Sequence, residues 1–409
     1  MLHKIWLAFI VSSFIATCIK VLVTGDMGSF EQVMTAVTSM ARTSVDIALG
    51  LIGVLAFWLG IFKVAENSGL IAKFSKLLAP LLCRIMPDIP RDHPALGSIT
   101  MNMSANILGL DNAATPFGIK AMQDMQTLSP VKDTLTNSQI LFLVLNTSSV
   151  TLFPIAVFLY RAEQGAAQPT DVFIPILLAT SASTLVGLMV TCAVQRVNLF
   201  NKVVLIYLVG AFSLLAAVML YFSRLATEQL ASQSSLIANF ALMTFIVAVL
   251  VIGWRKGQDT YEQFVEGAKQ GFDVAISIIP FLLAMLFAIG MLRASGVMEF
   301  VTDQVAFLVG LAGLDTRFVD ALPTAMMKPL SGSGARALMI ETMQFHGADS
   351  FVGRLASVLQ GSTETTFYVL AVYLGAVGIK HSRYAVGCCL AADLAGITAA
   401  ILVSYWFFG

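Results

Sequence analysis

Pro329-Leu-Ser-Gly-Ser-Gly334 and Ser362-Thr-Glu-Thr-Thr366 stand in an otherwise apolar half-chain. Asn102-Met-Ser-Ala-Asn106 and Asn146-Thr-Ser-Ser-Val-Thr151 stand at the matching places of the other half. Polar side chains at membrane depth are costly unless they face each other, a cavity or water. Their recurrence in the same order predicts a site built from two copies of one unit, near a pseudo-twofold axis.

The composition sets the class. Of 409 residues, 57% are hydrophobic and 12% charged, and the mean hydropathy is +0.84. A soluble domain carries about 25% charged residues. The chain therefore reads as an all-α polytopic membrane protein with roughly ten segments of about 20 residues. No long polar stretch is left for a soluble catalytic domain. Net charge is zero, with 24 basic and 24 acidic residues, so nothing points to nucleic acid. Cys18, Cys83, Cys192, Cys388 and Cys389 all lie in or beside apolar runs and match no metal or redox spacing. His3, His93, His346 and His381 do not cluster, so no metal or other cofactor is expected.

Spanning helices are expected over 4–23, 44–64, 138–160, 171–194, 202–222, 236–254, 265–292, 352–376 and 383–408. Segment 4–23 has no clear cleavage site and reads as the first membrane helix. Two regions, 65–130 and 293–348, are broken by Gly, Pro and Asn. They read as an interfacial helix followed by re-entrant or discontinuous helices, which membranes tolerate only under cover of protein or a cavity.

The repeat has a register. Asp46-Ile-Ala48 matches Asp273-Val-Ala275, Ser68-Gly69 matches Ser295-Gly296, and Ser104 matches Ser331, all at a shift of 227. Ser148, Thr151, Ala156 and Val157 match Thr363, Thr366, Ala371 and Val372 at a shift of 215. The difference fits a longer connection in the first half around Gln123–Asn137. Four units follow: 1–43, an N-terminal helix and interfacial segment; 44–195, the first repeat; 196–260, a linking hairpin; 261–409, the second repeat.

Charge bias suggests that the repeats are inverted. Lys63, Lys73, Lys76, Arg84 and Arg91 make the first 63–92 stretch basic, whereas 293–328 is not. Arg255, Lys256, Lys269, Lys380 and Arg383 mark further cytoplasmic turns, and Arg161 stands alone in its turn. On this reading the N-terminus is cytoplasmic and the C-terminus lies outside.

Several runs carry a family resemblance. Phe57-Trp-Leu-Gly-Ile-Phe-Lys63, Asp92-His-Pro-Ala-Leu-Gly97, Asn106-Ile-Leu-Gly-Leu-Asp-Asn-Ala-Ala-Thr-Pro116 and Leu145-Asn-Thr-Ser148 resemble the spore maturation protein A family. Lys328-Pro-Leu-Ser-Gly-Ser-Gly334, Ala348-Asp-Ser-Phe351 and Gln360-Gly-Ser-Thr-Glu-Thr-Thr-Phe-Tyr368 resemble the spore maturation protein B family. The chain thus resembles a fusion of the two, within the gate, or nucleoside-recognition, domain group. The resemblance implies a bacterial inner-membrane protein with a transporter-like core of gate domains, and the charge pattern makes these two inverted repeats joined by a helical hairpin, 202–222 and 236–254. It implies no particular substrate.

The candidate substrate-binding residues come from the duplicated polar stretches. In the first repeat they are Asn102, Ser104, Asn106, Asn112, Thr115, Asn146, Thr147 and Ser148. Asn112 is placed to cap a half-helix starting near Thr115-Pro116, whose free N–H groups would attract an anion or a hydroxyl. In the second repeat they are Ser331, Ser333, Ser362, Thr363, Glu364 and Thr365. Lys328 and Arg336 flank the Ser-Gly-Ser-Gly turn and are candidates to attract an anion. Glu364 is a carboxylate entering an apolar helix, so it must be paired, hydrated or protonated. It and Asp393 are the candidates for ion coupling. The same polar groups can equally hydrogen-bond across packed helices and fix the fold.

Two functional classes remain. One is a secondary transporter moving a small polar or anionic solute, nucleoside-like by family analogy alone. The other is a non-transporting scaffold in envelope, peptidoglycan or spore-cortex maturation. An enzyme is not expected, since no nucleophile–base pair is visible, and no Gly-x-x-x-x-Gly-Lys loop marks an ATP-driven pump. The expected partners are the solute and membrane lipid. A homo-oligomer is left open.

Overall fold

The computed structural model describes residues 2–109, 111–148, 150–197, 199 and 201–409, except the side chains of 2, 3 and 111–113. Every regular element among them is helical. Helix α1 (Leu2–Thr24) precedes a first repeat of α2 (Gly28–Asn67), α3 (Leu70–Ile85), α4 (Pro94–Ile107), α5 (Asp111–Thr127), α6 (Asn137–Thr147), α7 (Ile155–Glu163) and α8 (Phe173–Gln195). Helices α9 (Lys202–Ser223) and α10 (Thr227–Arg255) form the linking hairpin. The second repeat comprises α11 (Thr260–Ala294), α12 (Val297–Leu311), a 3₁₀ turn at Val319–Ala321, α13 (Leu322–Met327), α14 (Gly332–His346), α15 (Phe351–Gly361), α16 (Thr366–Val377) and α17 (Ala385–Phe408). Among the described residues, seven helices are long and apolar enough to cross a membrane: α1, α2, α8, α9, α10, α11 and α17.

The Ser-Gly anchors become the same joint twice. Gly69 and Gly296 start α3 and α12 in the left-handed region, at φ +71° and +83°. Only glycine enters that region without steric cost. Ser68 and Ser295 each turn a hydroxyl back onto a carbonyl three residues earlier, at 2.7 and 3.0 Å. The chain then leaves a long helix for an amphipathic one. In α3, Ile71, Leu82 and Ile85 are buried while Lys73, Lys76 and Arg84 are exposed.

Repeat-equivalent helices pack against each other antiparallel. Gly60 of α2 lies against Phe264 of α11, Ala56 against Gly271, and Met40 against Gly290. Likewise Ser183 of α8 meets Gly396 of α17, and Gly187 meets Ala392. Two equivalent helices side by side and antiparallel are related by a twofold axis perpendicular to them. For membrane-crossing helices that axis lies in the membrane plane, so the repeats are inverted.

The ends of the bundle differ in charge. At one end Gln258 bonds to the Asn67 carbonyl (2.6 Å), Gln195 to Asn137 (2.8 Å) and Arg383 to Leu135 (2.9 Å). Lys63, Arg84, Arg196, Arg255, Lys256 and Lys380 lie at or beside these turns. The other end joins the turns 164–172 and 347–350 to the end of α17, where Phe351 packs on Tyr405 at 4.8 Å. Turns rich in Lys and Arg favour the cytoplasmic side of a membrane.

Four sequence expectations change. The boundary expected between 43 and 44 falls inside α2, which runs unbroken over Gly28–Asn67, so 28–43 is not a separate interfacial segment. Segments 138–160 and 352–376 are not continuous spans: each is divided at its polar stretch, into α6 and α7 and into α15 and α16. Ser104 and Ser331 are not equivalent, since Ser104 lies inside α4 while Ser331 caps α14. The two hairpin arms differ in length, which the constant shift hides. Helix α5 starts at Asp111, so Asn112 is not its cap and Pro116 sits in its second turn, where it costs a hydrogen bond.

Candidate functional site

Each repeat contributes a hairpin and a broken helix, and the two are braced alike. The Leu152 N–H in the first break donates to the Ile107 carbonyl at the α4–α5 tip (2.9 Å). The Phe367 N–H beside the second break donates to the Pro329 carbonyl at the α13–α14 tip (2.9 Å). Tip and break touch closely: a Cβ on Gly109 would fall 2.8 Å from the Phe153 carbonyl oxygen. Across the repeats, the Glu364 N–H donates to the Thr147 carbonyl at 2.8 Å. These three bonds satisfy backbone groups beside the breaks with protein partners, as irregular backbone at membrane depth requires.

Between the breaks lies a cavity of about 310 Å³. One wall is Leu55, Trp58 and Phe62 of α2 with Gln270 and Ile278 of α11. Phe153 and Tyr160 form a second, and Gln360, Thr363 and Glu364 a third. Lys328 and Arg336 line it from the second hairpin, and Arg336 lies over the Tyr160 ring at 5.4 Å. The cavity runs from the middle of α2 and α11 toward the basic end. Lys63 and Glu66 line it there, with side chains 26% and 47% exposed.

Four candidates from the sequence, Lys328, Arg336, Thr363 and Glu364, meet in this cavity. The other candidates lie around it. Asn102 donates to the Ala114 carbonyl (2.7 Å) and to the Tyr373 hydroxyl (3.4 Å). Asn106 donates to Asn146 Oδ1 (2.9 Å), which also accepts from Tyr373 (3.4 Å). This buried chain ties the first hairpin to both broken helices. Ser104, Thr147, Ser148 and Ser362 turn their hydroxyls onto their own helices. Ser331 caps α14 by accepting the Gly334 N–H at 3.0 Å, with Ser333 at 3.2 Å. Thr365 is buried against Gly332, and Thr115 is half-buried on α5. The Asn112 side chain lies outside the described residues.

Asp393 stands behind the second break, 2% exposed. Its Oδ2 accepts from Thr366 at 2.7 Å, while Oδ1 has no partner among the described residues. Lys328 is within electrostatic reach of it.

Sequence reading missed Trp58, Phe62, Gln270 and Gln360. Each glutamine carried a signal: Gln270 is a lone amide in an apolar run, and Gln360 opens the Gln-Gly-Ser-Thr-Glu stretch. It also missed a closure at the far end. Arg161, read from its charge as a turn residue, is fully buried. It donates to Asp171 (2.9 Å), Asp349 (3.3 Å) and the Pro169 and Ala348 carbonyls (3.1 and 2.8 Å). Arg354 donates to Asp171 Oδ2 at 2.7 Å. Burial pushes the Asp171 carboxyl above the ordinary carboxylate range, and the two guanidiniums act against that shift. The cluster locks a first-repeat turn to a second-repeat turn.

The residues equivalent to this wall in the second repeat are more buried. The repeat-equivalents of Leu55, Trp58 and Phe62 are Leu282, Met285 and Ile289, all buried in the apolar core. The equivalent of Glu66 is Arg293, which bonds to Glu341 and Glu299. The equivalent surface is thus more deeply buried in the second repeat than in the first.

The family model described as Gate, nucleoside recognition, matches residues 48–164 and 275–380. Over 156 residues, 38% of this chain, the sequence is 45% identical to Spore maturation protein A of Bacillus subtilis (strain 168), covering 80% of that protein. Over 172 residues, 42% of this chain, it is 44% identical to Spore maturation protein B of the same organism, covering 95% of it. With both repeats matched and most of each relative covered, the chain belongs to the Gate, or nucleoside recognition, family.

Proposed function

We propose that this chain is a secondary-transporter-like protein of the bacterial inner membrane, carrying a small polar solute through the cavity between its repeats. The observation that carries the reading is the asymmetry of equivalent surfaces: half-buried Leu55 and Phe62 face a cavity while their equivalents Leu282 and Ile289 are fully buried. Inverted repeats that exchange these two packings expose one central site to each side in turn. In the state seen here the site faces the basic end, and the Arg161 cluster closes the other. Glu364 and Asp393 are the groups proposed to couple transport to an ion.

The scaffold reading draws on the names of the relatives, which speak of spore maturation and of no solute. It calls for a sealed centre, and a cavity of about 310 Å³ speaks against that.

A ligand-stabilisation screen on detergent-purified protein tests the proposal. It spans nucleosides, small carboxylates, amino sugars and amino acids, with and without Na⁺, on wild type and Glu364→Gln. The expected result is a solute that raises the melting temperature of wild type and not of Glu364→Gln. Silence across all classes sinks the transporter reading.

A further inference from the structure

The third cavity wall is a strip of acceptors. Gln360 and Thr363 are 7% and 3% exposed. Gln360 Oε1 and Thr363 Oγ1 have no hydrogen-bond partner among the described residues, and both residues line the cavity. A buried polar atom without a partner is costly, so each such atom calls for an explanation. Glu364, next in the chain, lines the same cavity with a carboxylate. The strip lies at the C-terminal end of α15, where helix carbonyls add partial negative charge.

An ammonium group carries three N–H donors and one positive charge. Three acceptors, one of them charged, match it in number and sign. A hydroxyl offers a single donor and leaves two of the three acceptors unmet. The aromatic rings of Trp58, Phe62, Phe153 and Tyr160 around the cavity add faces that attract a cation. Lys328 and Arg336 border the same space with the opposite charge. A solute bearing both an amine and an acid adds no net charge to a low-dielectric site.

We infer that the solute is a small zwitterion whose protonated amine docks on Gln360, Thr363 and Glu364 and whose acidic group faces Lys328 and Arg336. The inference rests on the reading of this cavity as the solute site.

Matched triplets test it on the purified full chain. Leucine and tryptophan are each compared with the amine that lacks the carboxylate and the acid that lacks the amine, and uridine serves as a neutral solute. Binding is measured by calorimetry on wild type, Glu364→Gln, Thr363→Val and Gln360→Leu, with gel filtration confirming that each variant folds. Hydrogen bonds to charged groups set the scale, so the zwitterion is expected to bind about 10-fold tighter than its amine or its acid. Glu364→Gln and Thr363→Val should weaken zwitterion and amine about 10-fold and leave the acid within about 2-fold. An acid or uridine that binds as tightly as the zwitterions, with the variants indifferent to the amine, overturns the zwitterion assignment and keeps the cavity as a solute site. Silence from all of these compounds overturns the assignment and counts against the solute reading as well.

Discussion

Arg161→Met removes the centre of the far-end closure. Arg161 has no exposed surface, and its guanidinium reaches two carboxylates, two carbonyls and the Ser357 hydroxyl. The substitution keeps much of the apolar stem but strands Asp171 Oδ1 and the Pro169 and Ala348 carbonyls. Breaking a buried pair from one side costs about 3–5 kcal/mol, because the surviving charge stays buried. Arg354→Met should cost less, about 1–2 kcal/mol, because its side chain is 24% exposed and water takes over part of its role. Arg161→Lys should fall between, since three donors on a point cannot replace a five-donor fork. The double variant Arg161→Met, Asp171→Leu should recover part of the loss. Unfolding in mixed micelles, followed by tryptophan fluorescence, reads all four together with the single Asp171→Leu. A cost below about 1 kcal/mol for Arg161→Met, or a double variant as unstable as the sum of the singles, refutes the reasoning.

Thr363→Val should leave the unliganded protein as stable as wild type or about 1 kcal/mol more so, because it removes an unpartnered buried hydroxyl; a melting curve checks this, and a clear loss would mean that Thr363 is satisfied. Gly271→Val should cost about 1–3 kcal/mol, since any Cβ there meets the Ala56 backbone; a variant melting with wild type would contradict the antiparallel α2–α11 contact. Asp393→Asn keeps an acceptor for Thr366 and removes a buried carboxyl. It should stay folded, and solute exchange in proteoliposomes should lose its response to a proton or Na⁺ gradient; an unchanged response would remove Asp393 from the coupling role.

Some of this was legible because it is periodic or duplicated. The Ser68-Gly69 and Ser295-Gly296 anchors became two identical left-handed joints, and polar stretches in apolar surroundings marked both breaks. Thr363 and Glu364, in one of those stretches, and Lys328 and Arg336, flanking another, meet in the cavity. The breaks themselves were hidden: a gap of four to seven residues vanishes in the average hydropathy of a 20-residue window. The Arg161 cluster was hidden for a different reason. Its partners Asp171 and Asp349 lie 10 and 188 residues away, and a tally of charges per turn treats a buried pair and a solvated one alike. The Asn102–Tyr373–Asn146 chain shows the limit of residue type as a guide, because asparagines that bind a solute and asparagines that brace helices read the same in sequence.

The central claim is a solute cavity reached from one side of the membrane. Thr363→Cys, in a background with the five native cysteines replaced by serine or alanine, tests it most directly. A membrane-impermeant, cationic thiol reagent is applied to inside-out and right-side-out vesicles, with Lys63→Cys as the control at the rim. The account predicts rapid labelling of Thr363→Cys from the cytoplasmic face alone, with labelling from the outer face appearing when Arg161→Met is added. A Thr363→Cys variant that stays unlabelled from both faces, while the Lys63→Cys control reacts, would mean a sealed centre and would contradict the account.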